Sequence, residues 1–330
     1  MSAMRRRPAM LIAVLATLGM LTAACGSEPR EANSAIITDD RVVSVDDVQA
    51  RLNRSLETEP AAKELAKTHK LDLVSRGIVT QVVRHELIAE AARQENLTVS
   101  EREVDDFLGR VTPSEDPVQK SIEAAFDRRD VARDRLLTQK FGAKYLDRLQ
   151  VTWDGATVVS QTNAKSTAVE LAERMAAVAP EQMAEVLQGS ASQEVNPSLN
   201  QEFNPVNTYQ IYAQYQGQVV LSPLFSVEAG NVVAFPFAAG EQAGTGWLVA
   251  YIKDRSENAT LPEDQAAAVS EVDPVWAESI GTQLLTPLAG ELGLRLSPRY
   301  GVWDELAVAV APSEAEKIGV VLPVAGKTTP

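Results

Sequence analysis

Apolar residues recur at helical spacing through the first 150 residues of the chain, and the strongest pattern runs from Leu71 to about Glu95. One stripe of that pattern contains Val74, Ile78, Val82, His85 and Ala89. A second stripe lies beside it, and together they form the wide apolar face that is typical of a helix buried in a bundle. A histidine on such a face is expected to be a packed core residue, so we assign His85 no catalytic role.

Helix starts are marked by short polar motifs. Ser44 is followed three residues later by an acid, which predicts a helix over about residues 45–57. Ser100 has the same spacing to an acid and predicts a helix over about residues 101–111. Asp116 precedes a proline and opens a charged helical stretch that extends to about residue 150, with a break near Asp127 as the alternative. The first half of the chain is therefore expected to be a helical body.

After residue 150 the pattern becomes that of a mixed unit. Residues 151–160 predict a strand, and residues 164–177 and 180–188 predict two helices. Residues 223–254 contain two apolar runs separated by a glycine-containing loop, which predicts a hairpin. Residues 273–293 predict a final helix. This order favours an α+β fold with the mixed unit inserted into a helical flank.

Three other segments have weaker patterns. Residues 35–45 place two β-rich runs around a pair of aspartates and predict a small hairpin. Residues 193–218 contain ten Asn or Gln and four aromatic residues, and we interpret them as a long loop with at most a short helix. Residues 321–330 are interpreted as a frayed tail.

Composition narrows the possible chemistry. The formal net charge is −14, so neutralisation of nucleic-acid phosphates is not expected. One Cys and two His are too few for a structural zinc site or a disulfide framework, and the sequence predicts no metal and no cofactor. Residues 127–148 carry seven Arg or Lys against four Asp, which we interpret as a solvated helix face rather than an anion site.

The N-terminus is expected to be an export signal. Three arginines at positions 5–7 precede 17 uncharged residues, which is the layout of a secretion signal. The run LTAACG ends that segment at Cys25 and resembles the bacterial lipobox. The resemblance implies that residues 1–24 are removed, that Cys25 is lipidated, and that residues 25–34 are a tether on the extracytoplasmic face of a membrane. A plain signal peptide or an uncleaved anchor is the alternative.

Two runs in the helical half, LIAEAA at residues 87–92 and LTVSEREV at residues 97–104, resemble the N-terminal domain of SurA-like chaperones. The layout is also similar to the foldase lipoprotein PrsA and to periplasmic PpiD-like proteins. This resemblance implies a helical chaperone core over residues 35–150, completed by a C-terminal helix within residues 256–330. It also implies an inserted parvulin-like domain, here residues 151–255.

The segment that resembles a parvulin domain lacks polar residues that the family uses for isomerisation. In that family the last strand carries a His directly after a Gly-aromatic pair, whereas this chain has Leu248 after Gly246 and Trp247. The first strand, VTWDGATVVS, also lacks the His that the family implies. We therefore expect no enzyme activity, with weak prolyl isomerase activity as the alternative.

The leading hypothesis is a membrane-anchored, extracytoplasmic holdase that binds unfolded exported polypeptides without catalysis. Tyrosine offers amphipathic contact at a low entropic cost. The candidate client-contact residues are therefore Phe203, Tyr209, Tyr212 and Tyr215. An envelope scaffold lipoprotein that binds one folded partner is a further alternative. A solute-binding lipoprotein is disfavoured because about 100 largely helical residues come first.

Overall fold

The computed structural model describes residues 33–39, 41–160, 162–217, 219–237 and 246–326. The predicted signal segment, Cys25 and most of the tether lie outside the described residues, so lipidation remains a prediction. Among the described helices, none combines the length and the apolar composition needed to cross a bilayer.

Helices dominate the first half of the described chain, and strands alternate with helices after residue 149. The helices are α1 (Val45–Thr58), α2 (Pro60–Lys67), α3 (Leu71–Glu95), α4 (Glu101–Leu108), α5 (Pro117–Glu123), α6 (Arg128–Ala143), α7 (Ala164–Ala176), α8 (Met183–Gly189), α9 (Pro205–Gln214), α10 (Glu263–Ala268), α11 (Pro274–Leu284) and α12 (Thr286–Glu291). The strands are β1 (Ser34–Ile37), β2 (Val42–Ser44), β3 (Gln150–Val159), β4 (Val195–Phe203), β5 (Asn231–Pro236), β6 (Gly246–Ser256), β7 (Arg295–Leu296), β8 (Val302–Asp304), β9 (Ala309–Ala311) and β10 (Val320–Pro323). The α+β class is confirmed.

The helix starts predicted from the capping motifs are confirmed. At the start of α1, the hydroxyl oxygen of Ser44 accepts a hydrogen bond from the backbone N–H of Asp47 at 3.0 Å. The Asp47 carboxylate accepts one from the backbone N–H of Ser44 at 3.1 Å. The Ser44 hydroxyl also donates to the Asp47 carboxylate at 2.7 Å, and this bond, with that from the Ser44 backbone N–H, holds the pKa of Asp47 below its usual value. Ser100 begins α4 through the same reciprocal bonds, so both helices are started by local polar groups.

Helix α3 spans the predicted residues, but its buried face is narrower than the sequence indicates. Val74, Ile78 and Val82 are buried in the main core, whereas His85 and Ala89 are exposed. The prediction that His85 is a core residue is therefore wrong. The charged stretch predicted from Asp116 to about residue 150 divides into α5 and α6, because the Asp127 side chain accepts from a backbone N–H and starts a second helix.

An antiparallel five-stranded sheet, in the order β10-β5-β6-β3-β4, forms the centre of the second half. Alternate residues of each strand enter two different cores. Val232 and Ala234 pack with α7 and α8 in the smaller core. Val233 and Phe235 face the other way and belong to the main core, which also contains the buried residues of α3 and α11. The sheet is therefore covered on both faces.

Two sequence interpretations are corrected by this sheet. The predicted loop over residues 193–218 contains strand β4, which was not predicted, and helix α9, which is the short helix that the prediction allowed. Strand β4 is an edge strand that pairs only with β3, so its exposed positions are polar and no apolar alternation marks it. The predicted frayed tail contains β10, in which Val321 pairs with Val233 of β5. The last strand of the sheet thus comes from the segment that was expected to pack only on the helical body.

Helix α11 returns to the helical body and packs against α6 at close range. Gly142 of α6 and Gly281 of α11 lie at the crossing, where the two backbones touch. A β-carbon added at Gly281 would overlap the carbonyl oxygen of Thr138. The predicted helix over residues 273–293 is two helices, α11 and α12, with Pro287 in the first turn of the second.

Gly281→Ala is expected to destabilise the protein by about 1–3 kcal/mol, because the added carbon must separate α6 from α11. Gly290→Ala is a matched control on α12, where a β-carbon meets no atom within 4 Å. The control should be neutral or stabilising by up to about 1 kcal/mol, as expected for alanine in a helix. Urea unfolding of both variants measures the difference, and equal stabilities would show that the crossing is looser than described.

Candidate functional site

The aromatic residues predicted to contact clients do not form a single surface. The Phe203 ring packs edge-on against Trp153, with centroids 5.3 Å apart. Tyr209 and Tyr212 are stacked on α9 with centroids 6.4 Å apart, and both are partly buried against the main core. Tyr215 is 53% exposed at the end of α9. Their role in client contact remains a prediction, and three of the four also hold local structure together.

Trp276 of α11 is the residue that gathers α9 onto the helical body. It is 1% exposed, and the Tyr212 ring lies 4.9 Å from its centroid. Its indole N–H donates to the carbonyl oxygen of Pro205 at 2.8 Å. A buried indole needs such an acceptor, because an unpaired N–H in the core is costly. Trp276 therefore contacts both the first residue of α9, through the hydrogen bond to Pro205, and the ring of Tyr212 on that helix.

The position at which the parvulin resemblance implies a histidine is part of the core. Leu248 of β6 is 2% exposed and lies between Phe235 of β5 and Thr157 of β3. The same face of the sheet is covered by the buried turn Ser222–Ser226, which includes Phe225. A substrate peptide bond therefore has no open approach to Leu248 in this conformation.

A cleft of about 400 Å³ opens in the helical body, between α3, α4, α5, α6 and α11. We call it the helical cleft. Its apolar lining consists of Ile88, Phe107, Leu108, Val111, Val131, Ala132 and Leu285. Its charged lining consists of Arg84, Glu123, Arg128, Asp134, Arg135 and Glu278. Apolar and charged groups therefore face the same space, which is common in ligand-binding clefts.

Helix α4 forms one wall of the helical cleft and is held on α6 by ion pairs. Arg129 donates to Asp105 and to Glu101, each at 2.6 Å. Lys140 pairs with Glu103 at 2.6 Å. The hydrogen bond from Lys140, together with those from Ser100, lowers the pKa of Glu103 to about 2. These pairs are exposed, so each one contributes little, but together they orient the short helix.

The returning helix α11 contributes a carboxylate to the cleft. The Glu278 carboxylate accepts two hydrogen bonds from Arg135, at 2.8 and 3.1 Å, and a third from Gln139 at 2.8 Å. The same guanidinium stacks over the Phe107 ring at 5.2 Å. A bidentate pair of this kind is geometrically specific. It links α6 to α11 and holds the end of α4 beside them.

Arg84 of α3 is partly buried and lines the cleft. Its Nε donates to the carbonyl oxygen of Val308 at 2.8 Å, and Nη2 donates to that of Ala307 at 3.1 Å. Burial lowers the pKa of the Arg84 guanidinium. Sequence reasoning did not single out this residue, although a cation inside the apolar run VVRHELI is a signal that could have done so.

His85 and Asp134 lie between the helical cleft and a second cleft of about 430 Å³, and Asp134 lines both. His85 Nδ1 lies 2.9 Å from both carboxylate oxygens of Asp134. Asp134 is buried, whereas about half of the His85 side chain is exposed. The hydrogen bond to Asp134 raises the pKa of His85, and desolvation opposes it.

Comparison with known proteins gives little further information. No protein-family model matches the chain, and no curated protein matches it. A crystal structure of the foldase protein PrsA from Lactococcus lactis matches with 11% sequence identity, over 80% of this chain and 95% of that chain. The TM-score is 0.19. Chains that superpose this poorly do not demonstrate a common fold, so the family of this chain is not established by the match.

The His85–Asp134 pair should make stability depend on pH. Because the pKa of His85 in the folded protein is raised above its ordinary value of about 6.5, the pair stabilises the fold fully below that value and loses its contribution as pH rises through the folded pKa. His85→Gln should therefore lower the free energy of unfolding more at about pH 5.5 than at about pH 8.5. Urea unfolding at both pH values measures this. A pH-independent loss, or a larger loss at high pH, would contradict the assignment.

Proposed function

We propose that this protein is a membrane-anchored, extracytoplasmic holdase that binds unfolded segments of exported polypeptides in the helical cleft. The resemblance of residues 35–150 to SurA-like chaperones supports this function, and the lipobox-like run at Cys25 supports the location. The observation that carries the proposal is the helical cleft itself. It is open, it lies in the part of the chain with the chaperone resemblance, and α11 completes its wall.

The dimensions and lining of the helical cleft suit a few side chains of an extended segment. About 400 Å³ lies within the range of small ligand sites, and a whole folded domain cannot enter it. The apolar wall, with Leu108 and Val111, removes client side chains from water. The polar groups, such as Gln81, can pair with a client backbone. A mixed lining of this kind favours broad rather than narrow specificity.

The mixed unit supports a non-catalytic role. The order β3, α7, α8, β4, α9, β5, β6 follows the outline that the parvulin resemblance implies. Rotation about a prolyl peptide bond needs polar groups beside the bond, and its barrier is roughly 18–20 kcal/mol. Leu248 supplies no such group and is buried in the main core. We therefore propose that this domain is a structural part of the holdase.

The purified protein should suppress aggregation of several unfolded exported proteins, measured by light scattering. Val111→Asp should reduce that suppression several-fold, because it places a charge on the apolar wall of the cleft. Val159→Asp is a matched control, since Val159 is 52% exposed at the end of β3 and does not line the cleft. Tyr215→Ala tests the exposed aromatic candidate separately. Unchanged suppression by this variant would contradict the prediction that Tyr215 contacts clients. Equal suppression by Val111→Asp and the control would contradict the cleft as the client site.

The alternatives predict different results. A prolyl isomerase would accelerate a proline-limited refolding reaction at substoichiometric amounts, and we expect no acceleration. A scaffold lipoprotein would copurify with one folded partner at a fixed ratio, whereas a holdase crosslinks to many exported chains. If the protein suppresses the aggregation of no client and copurifies with one folded partner at a fixed ratio, the holdase proposal is wrong and the scaffold alternative is supported.

A further inference from the structure

Arg84 has an unusual position for a partly buried cation. Among the described residues, no carboxylate lies within ion-pair distance of it, and its hydrogen bonds go to the backbone carbonyl oxygens of Ala307 and Val308. A guanidinium has five N–H donors, so these two bonds leave three of them. Partial burial of Arg84 removes part of its hydration, and the two carbonyl groups compensate for only part of that loss.

The carboxylates nearest to Arg84 are already paired. Glu278 is close enough to raise the pKa of Arg84, but both of its oxygens accept hydrogen bonds from Arg135 and Gln139. Asp134 accepts from His85 on its two oxygens. Among the described residues, Arg84 therefore lines the cleft with a positive charge that no ion pair compensates.

Two other charged side chains belong to the cleft. Glu123 accepts a hydrogen bond from the side chain of Gln119 at 3.1 Å. Arg128 is exposed at the start of α6, and it has no ion pair within the described parts of the chain. A carboxylate entering the cleft would thus meet two guanidinium groups that have no ion pair among the described residues, one exposed and one partly buried. The opposing negative charge is that of Glu123, which is bonded to a neutral amide.

Apolar groups surround this charge. Ile88 lies one helical turn from Arg84 on α3, and Leu108 and Val111 line the same cleft from α4 and the segment after it. A simple inorganic anion would leave that wall in contact with water. An apolar chain that carries one carboxylate would cover the wall and pair with the cation at once.

We propose that the helical cleft binds a carboxylate on an apolar client segment, with Arg84 as its pairing cation. This inference rests on the proposed function and specifies the client chemistry of the same cleft. The carboxylate can be the C-terminal group of the polypeptide or the side chain of an Asp or Glu among apolar residues. Both sources present two oxygens that match the fork of a guanidinium.

The experiment measures fluorescence anisotropy of labelled peptides with the purified full chain. One apolar peptide is prepared with a free C-terminal carboxylate and with a C-terminal amide. A second amidated peptide carries one internal Glu or, in its place, Gln. The acid form of a pair should bind about tenfold more tightly than its neutral form, as expected for a desolvated charge-assisted pair. The pair that shows the difference identifies the source of the carboxylate.

Substitutions of Arg84 then test whether this residue is the cation that pairs with the carboxylate. Arg84→Gln should bind acid and neutral peptides equally, and Arg84→Lys should keep part of the preference because it keeps the charge. Arg54→Gln is the matched control, because Arg54 is exposed on α1 and does not line the cleft, and it should leave the preference unchanged. A preference that survives Arg84→Gln in a protein that still unfolds cooperatively would overturn the assignment to Arg84.

The wild-type comparison decides the inference even if Arg84→Gln fails to fold. Equal binding of acid and neutral peptides would overturn the carboxylate proposal and leave the holdase intact, provided that aggregation is still suppressed. Absence of binding by every peptide, together with absence of suppression, would overturn both.

Discussion

The contact on which the rest of the structure depends is the crossing of α6 and α11 at Gly142 and Gly281. Two helix backbones approach this closely only where both lack a β-carbon, so the geometry is specified by residue size. The crossing joins a helix that ends near residue 143 to one that begins near residue 274. The chain between these two helices is therefore an insertion in the helical body. The same crossing places Glu278 and Leu285 in the wall of the helical cleft.

The sheet shows how this insertion becomes part of one molecule. Its smaller core, with α7 and α8, belongs to the inserted segment alone. Its other face merges with the main core, where Phe225, Phe235 and Trp276 pack together with residues of the helical body. This face of the sheet is closed by apolar burial. Leu248 fits the closed face, because a polar side chain at that position would be buried in an apolar environment at a cost in free energy.

The electrostatics of the helical cleft follow from pairing rather than from composition. The chain carries a formal charge of −14, yet the cleft contains three arginines and three acids. Glu278 is paired with Arg135 and Asp134 with His85, whereas Glu123 is bonded to the neutral amide of Gln119. Among the described residues, Arg84 and Arg128 remain as cations of the cleft without an ion pair. The basic stretch over residues 127–148 was interpreted as a solvated face. Much of this stretch is solvated, but Arg128 and Arg135 line the cleft.

The sequence by itself determined the elements that rest on local chemistry. The starts of α1 and α4 follow from caps at Ser44 and Ser100, and α3 follows from an apolar stripe, since each signal lies within a few residues. Only the tertiary structure decided which edge strands form, because β4 and β10 take their hydrogen bonds from partners far along the chain. It also decided the site. Arg84, Asp134 and Glu278 come from different helices, and the distance between them is set by packing, which no local pattern in the sequence encodes.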